Sequence, residues 1–78
     1  MMKIIMVRNK DGNYPHSWRP LHIKNKIFWL GGQANVVLVK DAREAQKVMY
    51  RAKKSMNRFN LIYYTVNVEK WKDSKIKK

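Results

Sequence analysis

Directly after Asp41 the chain commits to a helix. Ala45, Val48, Met49, Ala52, Met56 and Phe59 recur at i, i+3, i+4, i+7 spacing, which puts apolar side chains on one stripe of a 3.6-residue period. Asp41 is a good N-cap residue, and Glu44 three positions later can reach back to complete a capping box. The helix should end near residues 57–60. Such a stripe must be covered by a second layer, so the rest of the chain has to supply one.

The second layer reads as sheet. Residues 3–8 are an apolar, β-branched run followed by a turn signature at Asn9-Lys10-Asp11-Gly12-Asn13. Residues 14–20 hold two prolines and read as an irregular loop. Residues 21–30 look extended, Gly31-Gly32 breaks the run, and residues 35–40 resume it, which predicts a hairpin around Gly31-Gly32-Gln33-Ala34. After the helix, residues 61–69 alternate: Ile62, Tyr64, Val66 and Val68 on one side, Tyr63, Thr65, Asn67 and Glu69 on the other. The order β-β-β-α-β predicts an α+β fold, a small four-stranded, mainly antiparallel sheet with one helix packed on one face. Val48, Met49, Ala52 and Met56 should be buried against it. Residues 1–71 read as a single domain and 72–78 as a basic, disordered tail.

Seventy-eight residues leave room for one small core. There is no cysteine, which excludes a disulfide staple, a thiolate zinc site and a cysteine nucleophile, and fits a reducing cytoplasm. The longest apolar runs, such as Val36-Val37-Leu38-Val39, are too short to span a membrane. The N-terminus has no small-residue cleavage site and reads as a strand, not as a signal peptide. The expected location is the cytoplasm.

Charge is the strongest functional signal. Eighteen Lys and Arg against five acids give +13, well above the roughly 2–8 that solubility of a small domain asks for. The expected partner is anionic: nucleic acid, or an acidic surface of a protein that handles nucleic acid. Arg43, Lys47, Arg51, Lys54 and Arg58 fall within a sector of about 80° opposite the apolar stripe. They form a row about 22 Å long. Arg43/Lys47, Lys47/Arg51 and Lys54/Arg58 are like-charge i,i+4 pairs, each costing roughly 0.2–0.5 kcal/mol in an isolated helix. The bland reading is an ordinary solvated helix face. The functional one is an anion-docking ridge, because only Glu44 offers local compensation. Lys70, Lys72, Lys75, Lys77 and Lys78 extend the positive charge to the C-terminus.

Three Trp, four Tyr and two Phe are many for this length. The helix can cover only one sheet face. Tyr63 and Thr65 are expected on the open face, with one of the neighbours Phe28 and Trp29, while Tyr14 and Trp18 could fold back over it. These rings form a second mini-core, a base-stacking platform or a protein interface. Trp29 and Tyr63 join the ridge, Lys70 and Lys72 as candidate binding residues. His16 and His22 have no Cys, Asp or Glu at metal-ligand spacing, so neither a metal nor another cofactor is expected. With Arg19 and Lys24 nearby they could supply acid and base to a nuclease, but two loop histidines are common by chance, and the chain reads as non-enzymatic.

The opening strand with its Asn9-Lys10-Asp11-Gly12 turn, the segment Lys40-Asp41-Ala42-Arg43-Glu44-Ala45 and the late strand Tyr64-Thr65-Val66-Asn67-Val68-Glu69 give a layout that resembles small proteins encoded by bacteriophages. Many of those are early host-takeover or anti-defence factors. The resemblance therefore implies such a role, in the host cell cytoplasm, and transfers no site residue. Two functions follow as expectations. One is a small basic binding protein that acts on nucleic acid through its cationic helix face and tail. The other is a phage-type inhibitor or accessory factor that docks by protein–protein contact on a host nucleic-acid-handling or defence enzyme.

Overall fold

A computed structural model describes residues 2–12, 17–30 and 35–71. It is an α+β domain with antiparallel sheets and one main helix. The elements are β1 (Lys3–Asn9), β2 (Arg19–Pro20), β3 (His22–Lys24), β4 (Ile27–Trp29), β5 (Asn35–Val36), β6 (Leu38–Val39), α1 (Ala42–Met56) and β7 (Leu61–Asn67). The expected single sheet is divided in two. β1 is central to the larger sheet, pairing along its whole length with β7 and, on its other edge, with β2 and then β6. The smaller sheet has the order β4-β3-β5.

The division happens at Ile5. Its carbonyl accepts from the N–H of Leu21, and the carbonyl of Leu21 accepts from the N–H of Val37, both at 2.9 Å. Beyond this point the chain segments 19–24 and 35–39 leave the edge of β1 and pair with each other. The expected strand over residues 21–30 is itself folded in half. Asn25 and Lys26 both have positive φ, 53° and 65°, the conformation of a two-residue hairpin turn whose twist matches its strands. β3 therefore pairs with β4, His22 opposite Trp29 and Lys24 opposite Ile27. The second partner of β3 is β5, with His22 opposite Val36. The hairpin expected between adjacent strands around Gly31 is thus replaced by one around Asn25-Lys26, while residues 31–34 themselves lie outside the described residues. The expected loop over 14–20 also contributes a strand: Pro20 lies opposite Met6 in β2.

Cross-strand partners share a sheet face, so the register sorts every strand residue. Ile5, Val7, Leu21, Val37, Val39 and Leu61 point toward α1 and make one core with Ala45, Met49, Ala52 and Leu30, joined by half-buried Ile23, Phe28, Val48, Met56 and Tyr63. Met49 and the two alanines are fully buried, whereas Val48 and Met56 sit at the edges of the stripe. Phe59, expected on the buried face, is 64% exposed. The reason is the helix end: Asn57 adopts the left-handed conformation, and Arg58 N–H bonds to the Lys53 carbonyl, closing the helix before Phe59 can continue the period.

The helix start follows the expected cap with one variation. Asp41 Oδ1 accepts from Glu44 N–H at 2.9 Å. The Glu44 carboxylate reaches back past the cap and accepts from Lys40 N–H at 3.2 Å. β7 stops at Asn67, two residues short of the expected end, and residues 68–71 form a helical turn. The expected tail over 72–78 lies outside the described residues.

Candidate nucleic-acid interface

The cap and the core stripe fix the rotation of α1. With Ala45, Met49 and Ala52 buried, the opposite side of the helix must meet solvent. Arg43, Lys47, Arg51 and Lys54 are exposed there, whereas Arg58, expected to complete the row, is exposed beyond the helix end, after the left-handed Asn57 that breaks the period. The only acid in the helix is Glu44, and its carboxylate already bonds to the Lys40 backbone. The result is an ordered row of cations on a rigid element.

An aromatic residue that the pattern did not single out belongs to this row. Tyr50 is 64% exposed, and the Lys54 ammonium sits 5.4 Å from the centre of its ring. Gln46, Lys47, Tyr50 and Arg51 line a shallow open depression on this side of the helix. The signal was present in the sequence: at 100° per residue Tyr50 falls about 20° from Arg43 and far from the apolar stripe. The ridge thus offers ammonium and guanidinium groups for phosphate oxygens and a phenol ring for a sugar or base.

The other expected binding residues are dispersed. Trp29 is half exposed at 50%, and its neighbour Phe28 packs on the core, as alternation requires. Tyr63 corrects an expectation. It lies opposite Val7 on the helix side of β7 and packs against the core, so it is not on the open face. Its neighbour Tyr64 is, opposite Met6. The reason is Leu61, whose burial at the first position of β7 sets the register, and a one-residue difference exchanges the two faces of the strand. Lys70 is exposed on the helical turn after β7, on a different element from the ridge. Lys72 and the later lysines lie outside the described residues, as do Tyr14 and His16.

His22 is buried, and its Nδ1 lies 2.9 Å from the Pro20 carbonyl. It shares a face with Trp29 and Val36, where it serves as a packed and hydrogen-bonded side chain. Among the described residues no three His, Asp or Glu side chains are grouped so as to hold a metal ion, and no helix is long and apolar enough to cross a membrane. In comparisons with protein-family models, curated proteins and solved structures, nothing matches this chain.

Proposed function

We propose that this chain is a non-enzymatic binding protein that docks on nucleic acid through the exposed cationic face of α1, with the basic C-terminal residues adding attraction. The observation that carries the reading is the ridge itself: Arg43, Lys47, Arg51 and Lys54 exposed on one helix face, opposite the buried stripe, in a chain of net charge +13. Like charges placed side by side cost folding stability. A polyanion converts that cost into binding, because each phosphate neutralised releases condensed counterions. From Arg43 to Lys54 the ridge is about 16 Å long, which spans several phosphates.

The test is affinity for a DNA duplex across a salt series. Log affinity should fall against log salt with a slope near −0.9 for each phosphate contacted. The double variant Lys47→Glu/Lys54→Glu should bind more weakly and flatten the slope by about 1.8. Binding indistinguishable from wild type would reduce the ridge to a solvated face.

One observation favours the second reading, a phage-type factor that docks on an acidic groove of a host nucleic-acid-handling enzyme. Trp29 and Ile27 are both about half exposed on one side of β4, and interfaces concentrate Trp beside Arg and Lys rims. Recovery of partners from host lysate with and without nuclease separates the two. Loss of recovery on nuclease treatment supports direct nucleic-acid binding, and a stoichiometric protein that survives it supports docking.

A further inference from the structure

The register turns one face of the larger sheet away from α1; Ile4 at one end of it is fully buried, and Met6, Arg8 and Ile62 are half-buried. Met6, Arg8, Ile62 and Tyr64 point away from α1, since their neighbours Ile5, Val7, Leu61 and Tyr63 point toward it. On this face the Trp18 ring meets the Tyr64 ring at 4.7 Å between centroids and 81° between planes. The Arg8 guanidinium lies 5.2 Å from the centre of the Trp18 ring. A closed mini-core would hide these rings, yet Trp18 is 39% and Tyr64 44% exposed. Two perpendicular rings form a corner, and a flat ring entering it stacks on one wall and meets the other edge to face.

We infer that this corner is a second binding site, which takes an unpaired base of single-stranded nucleic acid, with Arg8 placed for the adjoining phosphate. The inference rests on the nucleic-acid reading above and adds a substrate class to it. Charge selects this occupant. The charged strand residue on this face of the larger sheet, Arg8, is a cation, and the +13 of the chain concentrates polyanions around it. Base shape selects the single strand. In a duplex the flat faces of the bases are stacked on one another, whereas unpaired bases present them to aromatic side chains. The corner and the ridge lie on opposite sides of the domain, because α1 covers the other face of the sheet. The two sites therefore respond to different substitutions.

The experiment measures binding of the full chain to oligo-dT and oligo-U of about 15 nucleotides and to a duplex of similar length, across salt. Trp18→Ala and Tyr64→Ala should each weaken oligomer binding by about 5- to 150-fold while leaving duplex affinity and the salt slope unchanged. Tyr64→Phe keeps the ring and should bind the oligomers as wild type does, which separates stacking from any folding defect in the alanine variants. Wild-type oligomer affinity in both alanine variants would overturn the inference, as would equal losses on oligomers and duplex. If the wild type binds duplex with a steep salt slope and ignores both oligomers, this inference fails and the ridge reading stands. If the wild type binds no nucleic acid at all, both fail, and the aromatic face is a surface for protein.

Discussion

Val37 donates its backbone N–H to the carbonyl of Leu21 at 2.9 Å, and through this bond two chain segments that begin as neighbours of β1 become neighbours of each other. Both residues are buried. The bond lets a short chain cover a 15-residue helix with two seven-residue strands and several of two or three residues, because the smaller sheet extends the apolar surface sideways to β4, which also touches α1. Placement of Phe28 and Trp29 thus depends on the turn at Asn25-Lys26.

That turn gives the first prediction. Lys26 has φ 65°, a left-handed conformation that costs a side-chain-bearing residue roughly 1–2 kcal/mol. Glycine adopts it freely but loses more entropy on folding, an offset of roughly 0.5–1 kcal/mol. Lys26→Gly should therefore stabilise the fold by up to about 1 kcal/mol. Urea unfolding followed by circular dichroism checks it, and a destabilised variant would show that the turn is of another type.

Met49 and Phe59 give a contrasting pair. Both belong to the apolar period after Asp41, but Met49 is 1% exposed and Phe59 lies beyond the helix end in solvent. Met49→Ala should cost roughly 2–5 kcal/mol. Phe59→Ala should stay within about 0.5 kcal/mol, as surface substitutions do. Equal losses in the two variants, measured by the same unfolding assay, would contradict this helix rotation.

The parts of the fold legible in the sequence were those decided locally. Asp41, Glu44 and the stripe of Ala45, Met49 and Ala52 act within a few residues of one another, so α1 and its solvent ridge followed from spacing alone. Tyr63 and Tyr64 show why the rest did not. Both tyrosines suit a strand, and the Ile62, Tyr64, Val66 set is the more apolar one, so alternation alone favoured the wrong side. The deciding contact was Leu61 against a core assembled from distant residues. The division of the sheet was hidden for a similar reason. Asn25 and Lys26 look like polar positions in an extended run, and only left-handed backbone at both turns the chain there. Tyr50 was legible by its angle in the helical period, but an aromatic side chain suits a core as well as a surface, so residue type alone does not mark it as part of the ridge.

The cap should be worth measuring directly. Asp41→Ala removes the acceptor for Glu44 N–H and should cost about 0.5–2 kcal/mol. Glu44→Gln keeps an acceptor for Lys40 N–H but removes the only negative charge in α1. It should cost at most about 1 kcal/mol through the helix dipole. The same variant makes the ridge more positive and should tighten duplex binding. Tighter binding with lower stability separates the ridge from the cap, and weaker binding would contradict an anionic partner.

His22 offers a check on the proposed non-enzymatic role. Its Nδ1 is engaged with the Pro20 carbonyl and its side chain is buried. His22→Ala should lower stability, as loss of a buried, bonded side chain does, by roughly 1–3 kcal/mol. Neither the wild type nor the variant His16→Ala/His22→Ala should cleave labelled RNA or DNA. Cleavage by the wild type that disappears in the double variant would make the chain a nuclease.

The final prediction weighs the ridge against the C-terminal lysines. Deleting residues 72–78 removes four lysines and one aspartate, and Lys47→Glu/Lys54→Glu replaces two cations with two anions. The two changes lower the net charge by similar amounts, so a partner that felt only the overall field would weaken similarly in both. The helix holds its cations at fixed intervals on an ordered element, so their placement costs little further entropy on binding. Composition reads 72–78 as a basic tail, and on that reading each lysine there loses chain and side-chain freedom when placed on a phosphate. The double reversal should therefore weaken duplex binding more than the deletion and flatten the salt slope more. Affinities across one salt series for wild type, reversal and deletion decide it. If the deletion abolishes binding while the reversal binds like wild type, the working element is the tail, and the ordered ridge on α1 is a solvated face.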